Sequence, residues 1–335
     1  MARRSLDRFF RRPAVDGRPL AIGLVNNMPD AALKTSERQF RELLTRAAGD
    51  LRYELRVFSF PELPRSATGS RYVAQHYEPV ENLWDSHLDG LIVTGAAPGS
   101  GDVEDEPCWP TMTRLVEWAE RHTASTIWSC LAAHAAVRYM DGIQRRPLDA
   151  KLSGVFECER AVNHRLLAQA PTRWATPHSR YNELPEAELR AHGYRILSRS
   201  RAAGADVFVK RRGSLFVFLQ GHLEYDAGAL GREYRRDVAN FVAGKWDRYP
   251  EMPVNYFPDD IAEAMRAFRE VALRQPGDAL VERFPTLPAF AAPWHDTAVA
   301  MFSAWLAQLA VRRSRQFGRR PASVSARRAL SLTYA

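Results

Sequence analysis

The sequence predicts an α/β fold on a mostly parallel sheet, and three observations lead there. Short β-rich runs alternate with stretches of helical period through the first 140 residues, the order that βαβ units produce. A later group of β-rich runs has the tighter spacing of hairpins added to the same sheet. With 46% hydrophobic residues in a chain of 335, there is enough apolar material for one large core or two modest ones.

The elements follow in order. LAIGLVN (20–26), YELRVFSF (53–60), GLIVTG (90–95) and STIWS (125–129) are rich in β-branched and aromatic residues and short enough for buried strands. SERQFRELLTRAA (36–48) and CWPTMTRLVEWAERH (108–122) lie between them with helical spacing, and LAAHAAVRYM (131–140) follows STIWS directly. The hairpin group is YRILSRS (194–200), DVFVKRR (206–212) and SLFVFLQG (214–221). Residues 227–245 read as an amphipathic helix. In 261–292 a helix-like run enters a proline-rich segment without clear period, an excursion between structured parts. AVAMFSAWLAQLA (298–310) predicts a last packed helix.

The net charge of +8 suggests a polyanion partner until it is divided by region. Residues 1–18 hold six Arg and two Asp, residues 311–335 seven Arg and no acid, so the arms carry +11 and the body about −3. Basicity therefore belongs to two arms, read as solvated or disordered tails, and the body gives no reason to expect nucleic acid or a membrane as partner. No long uncharged apolar run and no secretory stretch appear, so a cytoplasmic location is the expectation. Cys108, Cys130 and Cys158 form no C-x-x-C pair and are odd in number. That disfavours a disulfide framework and a zinc knuckle, so no metal is expected, and in a reducing compartment one thiol can serve as a nucleophile.

Cys130 stands where a strand-like run ends and a helix-like run begins, a position that suits either a small buried residue or a nucleophile. At such a turn the sulfur faces the carboxyl edge of the sheet, where open α/β sheets bind ligands. The following helix favours a thiolate, and the N–H of Leu131 would serve as one oxyanion donor. In LFVFLQGHLEYD, His222 and Glu224 are two apart. In an extended segment both would project to one side, letting the carboxylate orient the imidazole. In GLIVTGAAPGSG a glycine-rich loop follows a strand, and its N–H groups would supply a second oxyanion donor. Neither a Walker A nor a dinucleotide fingerprint is present.

An ordered set of segments carries a resemblance: NNMPDAALKTSERQF, DGLIVTGAAPG, STIWSCLAAHAA, KLSGVFE, PHSRYNELP, GHLEYDAGALGREYRRD, VNYFP and AMFSAWL. Together they resemble the homoserine O-acyltransferases related to class I glutamine amidotransferases, over roughly residues 18–310. The resemblance implies a flavodoxin-like, doubly wound fold and a cytoplasmic homodimer. It also implies transfer of an acyl group from acyl-CoA to the hydroxyl of L-homoserine in methionine biosynthesis, with no cofactor beyond the acyl-CoA co-substrate. Residues 19–310 would form the acyltransferase domain, interrupted by the 261–292 excursion and flanked by the arms 1–18 and 311–335.

Under the resemblance, Cys130 is the acyl-accepting nucleophile, His222 the general base and Glu224 its orienting carboxylate. Lys151, Ser179 and Arg236 match positions that line the family's substrate pocket. Arg236 would hold the homoserine carboxylate, although in a helix with Arg232 and Arg235 it also reads as a surface charge. Gly95, Ala96 and Leu131 belong to the oxyanion region. Gly99 occupies the loop position where the family carries glycine or glutamate. Glycine leaves room for the distal carboxylate of a succinyl group, so succinyl-CoA is expected over acetyl-CoA.

The sequence departs from the family pattern in several places. Leu131 and His134 replace a Trp and a Gln, Asp30 stands where a lysine follows Met-Pro, with Lys34 four residues later, and the loop reads Gly95-Ala96-Ala97-Pro98. These bear on the acceptor. L-Serine is one methylene shorter than homoserine, a difference worth about 1–3 kcal/mol in a pocket. Two rivals remain open at this level: an amidotransferase-like hydrolase using the same three side chains, and a non-catalytic binding protein.

Overall fold

The structure is a computed structural model that describes residues 18–96, 101–288 and 291–318. In chain order the elements are β1 (Leu20–Val25), α1 (Asp30–Ala48), β2 (Tyr53–Phe58), α2 (Ala67–His76), α3 (Glu81–Trp84), β3 (Gly90–Val93), α4 (Trp109–His122), β4 (Ser125–Ser129) and α5 (Leu131–Asp141). There follow β5 (Arg146–Arg160), β6 (Arg173–Glu183), α6 (Glu186–Ala191), β7 (Arg195–Ser200), β8 (Gly204–Arg211), β9 (Leu215–Leu219), α7 (Ala229–Val242), α8 (Asp259–Arg274) and α9 (His295–Gly318).

One mixed sheet runs β2-β1-β3-β4-β9-β8-β7-β5-β6. Its first five strands are all parallel, and renumbered within that half their order is the 2-1-3-4-5 of flavodoxin-like sheets. The expected doubly wound class is therefore present. The rest is antiparallel, as the tight spacing of the later runs predicts.

Alternation along the strands sorts the core into two layers. Ile92, Ile127 and Val217 face one way, against α1 and α9. Leu91, Val93, Trp128, Phe216 and Phe218 face the other, against α4 and α5. β3, β4 and β9 are buried at every position, as strands covered on both faces must be. The alanines 132, 133, 135 and 136 of α5 are buried and let that helix lie close to the sheet.

The structure adds one hairpin and corrects two expectations. β5 and β6 form a long antiparallel hairpin with a bulge between Pro147 and Leu152; their mixed burial hid them from a reading based on apolar runs. Val254 pairs with the hairpin backbone at Val155 and Ser153, and only glycine fits at 154, where an added Cβ would lie 2.3 Å from Val254 O. Residues 261–284 of the expected excursion are packed structure. α8 buries Ala262, Met265, Phe268 and Ala272, and Met265, Phe268, Ala272, Leu280 and Phe284 form a third cluster with Tyr234, Val238 and Val242 of α7. Finally, the boundary at 310 falls inside α9. Arg312 Nη1 donates to Ala124 O at 2.7 Å, and Arg313 Nη1 donates to Pro19 O at 2.6 Å and lies 3.1 Å from Asp89. The start of the supposed tail is thus a helical turn docked on the sheet's amino edge. The N-terminal arm up to residue 17, and residues 319–335, lie outside the described residues.

Candidate active site

The carboxyl ends of four parallel strands, β1, β3, β4 and β9, deliver Asn27, Gly95, Cys130 and His222 to one edge of the sheet. Cys130 sits between β4 and α5 with φ 51° and ψ −115°, a left-handed conformation that L-residues rarely adopt. Two hydrogen bonds hold it there: its N–H donates to Leu219 O at 2.7 Å, and its C=O accepts from His134 N at 3.2 Å. The turn lifts the sulfur out of the sheet, and Cys130 is partly exposed while Cys108 and Cys158 are buried. Gly95 packs directly against it. A Cβ there would lie 3.4 Å from Leu131 N and 3.5 Å from Cys130 Cβ. Leu131 opens α5, so its N–H has no partner within the helix.

His222 and Glu224 come from the turn after β9, not from an extended strand as the sequence suggested. The turn still joins them: His222 Nδ1 lies 2.8 Å from Glu224 Oε1. Its N–H donates to Pro177 O of β6 at 2.8 Å, and the Tyr225 ring stacks on the imidazole with centroids 4.2 Å apart. The Cys130 sulfur acts on the ring as well, favouring its protonated form. Burial pulls the His222 pKa down most strongly, but the Glu224 carboxylate and the Cys130 sulfur together outweigh it and hold the imidazole well above its ordinary value. Ser129 Oγ is 3.5 Å from Glu224 Oε1.

Lys151, Ser179 and Arg236 also converge, around two carboxylates that sequence reasoning passed over. Lys151 Nζ is 2.7 Å from Asp237 Oδ2 and 3.6 Å from Glu233 Oε2. Ser179 Oγ donates to Glu233, as does Tyr225 OH. Arg236 is held by Asp237 Oδ1 through Nε at 3.0 Å and Nη2 at 2.8 Å. Tyr225 thereby links this patch to His222. Glu233 and Asp237 are spaced i, i+4 on the buried side of α7. Their spacing beside the buried Leu230, Tyr234 and Val238 was the available signal, masked by the surrounding arginines.

The departures have definite places. His134 is buried with Nε2 3.2 Å from Gln220 Oε1, and burial pushes its pKa down to about 3. Lys34 is exposed over the Tyr72 ring, 4.6 Å from its centroid, and Asp30 accepts from Ser66 and pairs with Arg65. Ala96 and Leu131 line a cavity of about 20 Å³ with Asn27, Thr94 and Cys108. Gly99, on which the donor argument rests, lies outside the described residues, as do Ala97 and Pro98. Among the described residues, one group has metal-ligand chemistry, the buried trio Cys158, His178 and Asp206.

The family model for homoserine O-succinyltransferase matches residues 11–314. A homoserine O-succinyltransferase of Methylorubrum extorquens is 45% identical over 294 residues, covering 87% of each chain. One from Rhodopseudomonas palustris is 44% identical over 315 residues, 92% of this chain and 95% of the relative. The chain belongs to the homoserine O-succinyltransferase family. The family and the acyltransferase class expected from the eight motifs are the ones these matches show. Among solved structures the chain is similar to a glutamine amidotransferase of Thermotoga maritima, 14% identical with a TM-score of 0.48 over 88% of this chain and 99% of that one. A second, from Methylobacillus flagellatus, is 15% identical with a TM-score of 0.48 over 87% and 94%. No described helix of this family member is long and apolar enough to cross a membrane.

Proposed function

We propose that this chain transfers a succinyl group from succinyl-CoA to the hydroxyl of L-homoserine, through a thioester on Cys130, as a step of methionine biosynthesis. The observation that carries the reading is the 2.8 Å pair of His222 and Glu224 delivered to the same carboxyl edge of the sheet as the positive-φ turn at Cys130. The sulfur attacks the thioester carbonyl, and the Leu131 N–H and the loop at Gly95 and Ala96 stabilise the oxyanion. The C–S bond to CoA breaks, and the departing thiolate takes the proton held on His222. Homoserine then binds, neutral His222 accepts its hydroxyl proton, and the alkoxide attacks the succinyl-enzyme. Collapse of that adduct breaks the C–S bond to Cys130 and releases O-succinylhomoserine. Glu224 holds the imidazole and offsets its charge between the half-reactions.

Two features support a zwitterionic amino-acid acceptor. Arg236 and Lys151 offer cations for a carboxylate, and Glu233 and Asp237 offer anions for an ammonium group. The cytoplasmic homodimer implied by the family belongs to the same proposal.

Intact-protein and peptide mass spectrometry after mixing with succinyl-CoA alone is the direct test. A succinyl adduct on Cys130, discharged by homoserine and not by serine, is the expected result. An acetyl adduct from acetyl-CoA with none from succinyl-CoA would overturn the donor, and no adduct from either would overturn the thioester.

A further inference from the structure

Thr94 follows β3 directly, stands just before Gly95 and is only 2% exposed. Its hydroxyl oxygen accepts from Asn27 N–H at 2.9 Å and donates to Gly95 O at 2.8 Å. An N–H can only donate, so the single hydroxyl proton is left for the carbonyl. The frame around this hydroxyl is fixed from both neighbouring strands. Thr94 N donates to Val25 O of β1 at 3.0 Å, and Asn27 Oδ1 accepts from Phe60 N, just beyond β2, at 3.1 Å.

The Gly95–Ala96 peptide is trans, so its N–H points opposite to its C=O. With Gly95 O held by Thr94, the Ala96 N–H is turned to the other side. A flipped peptide would exchange the two and present a carbonyl oxygen where a negative charge has to be bound. Gly95 has no Cβ to resist such a flip, so the orientation needs a restraint from elsewhere, and the Thr94 hydroxyl is one.

This peptide lies against the turn of the nucleophile. A Cβ on Gly95 would stand 3.4 Å from Leu131 N and 3.5 Å from Cys130 Cβ. Ala96 and Leu131 line one small cavity together with Thr94 and Asn27. We propose that Thr94 is a positioning residue: its hydroxyl draws the Gly95 carbonyl back and so presents Ala96 N–H, beside Leu131 N–H, to the oxyanion formed on the acyl carbon. It acts through the peptide and not on the substrate. The proposal rests on the reading of Cys130 as the acyl acceptor.

The test compares two reactions of Cys130 in the full chain, one that passes through an oxyanion and one that does not. Acylation by succinyl-CoA alone is followed by CoA release and intact-protein mass, and alkylation by iodoacetamide is followed by peptide mass spectrometry. Thr94→Val keeps the shape of the side chain and removes the hydroxyl. Its acylation is expected to slow by roughly tenfold or more, up to the 10²–10³ of a lost oxyanion donor, while alkylation keeps the native rate. Thr94→Ser retains a hydroxyl and should recover most of the loss. Native acylation in folded Thr94→Val, or an equal fall in both reactions, overturns the proposal. If Thr94→Val does not fold because Asn27 N–H has lost its acceptor, a crystal structure of the succinylated native chain decides. An acyl oxygen within about 3.2 Å of Ala96 N supports the proposal, and Gly95 O turned towards the acyl oxygen overturns it. A native chain that forms no succinyl adduct overturns the thioester reading and this inference with it, whereas native acylation beside an unaffected Thr94→Val overturns this inference alone.

Discussion

Glu224 Oε1 lies 2.8 Å from Nδ1 of His222, and the pair is joined by a turn at the end of β9, with Tyr225 stacked on the other side of the imidazole. The carboxylate is a main reason why the buried imidazole keeps its proton well above the ordinary range. Glu224→Gln keeps a hydrogen-bond acceptor and loses the charge. We expect kcat to fall by about 10²–10⁴, and the limb of the pH–rate profile that reports His222 deprotonation to move to lower pH. A profile superimposable on the native one would show that Glu224 does not act on the imidazole.

Replacing Cys130 should separate activity from stability. Both Cys130→Ala and Cys130→Gly remove the sulfur and should abolish turnover. Since φ is 51° at this position, glycine relieves a conformation that alanine must keep. Cys130→Gly should therefore be more stable than Cys130→Ala by about 1 kcal/mol in urea unfolding. Equal midpoints would mean that the turn is not strained.

The patch around α7 should belong to the second half-reaction. Arg236→Met is expected to raise the KM for the acceptor at least tenfold, while the rate of Cys130 acylation by succinyl-CoA alone stays native. A slowed acylation step with an unchanged acceptor KM would move Arg236 out of the acceptor site.

His134 makes the protein acid-sensitive. Its folded pKa of about 3 lies below the unfolded value of 6.5, so the unfolded chain takes the proton first. The stability it contributes is complete above pH 6.5 and declines as the pH falls from there towards 3. Between pH 6.5 and about 5 the loss is about 2 kcal/mol. His134→Gln should flatten the measured pH dependence of unfolding by that amount.

The two ways of shortening the C-terminus should differ. Ending the chain after Gly318 preserves the hydrogen bonds of Arg312 and Arg313, and both turnover and Tm should stay native. Ending it after Ala310 removes them together with the last two turns of α9, and should cost about 1–3 kcal/mol of stability. Equal Tm values for the two truncations would show that the docked turn contributes nothing.

Much of this site was legible before any coordinates. Cys130 at a strand-to-helix junction, and His222 and Glu224 after a glycine-terminated apolar run, were visible because strand ends and special backbone positions leave local marks. Gly95 was visible for the same reason. Glu233 and Asp237 were not, since they lie among Arg232, Arg235 and Arg236 and only packing shows that they face inward.

The sequence by itself determined the α/β class, the four amino-terminal parallel strands and the candidates for nucleophile, base and orienting acid, because these depend on periodicity and on residues close together in the chain. Tertiary structure alone decided that β5 and β6 form a hairpin, that 261–283 packs on α7, that α9 continues past 310, and which charges become neighbours. Those outcomes come from contacts between residues tens to hundreds of positions apart, whose energies depend on burial and on partners that no local pattern encodes.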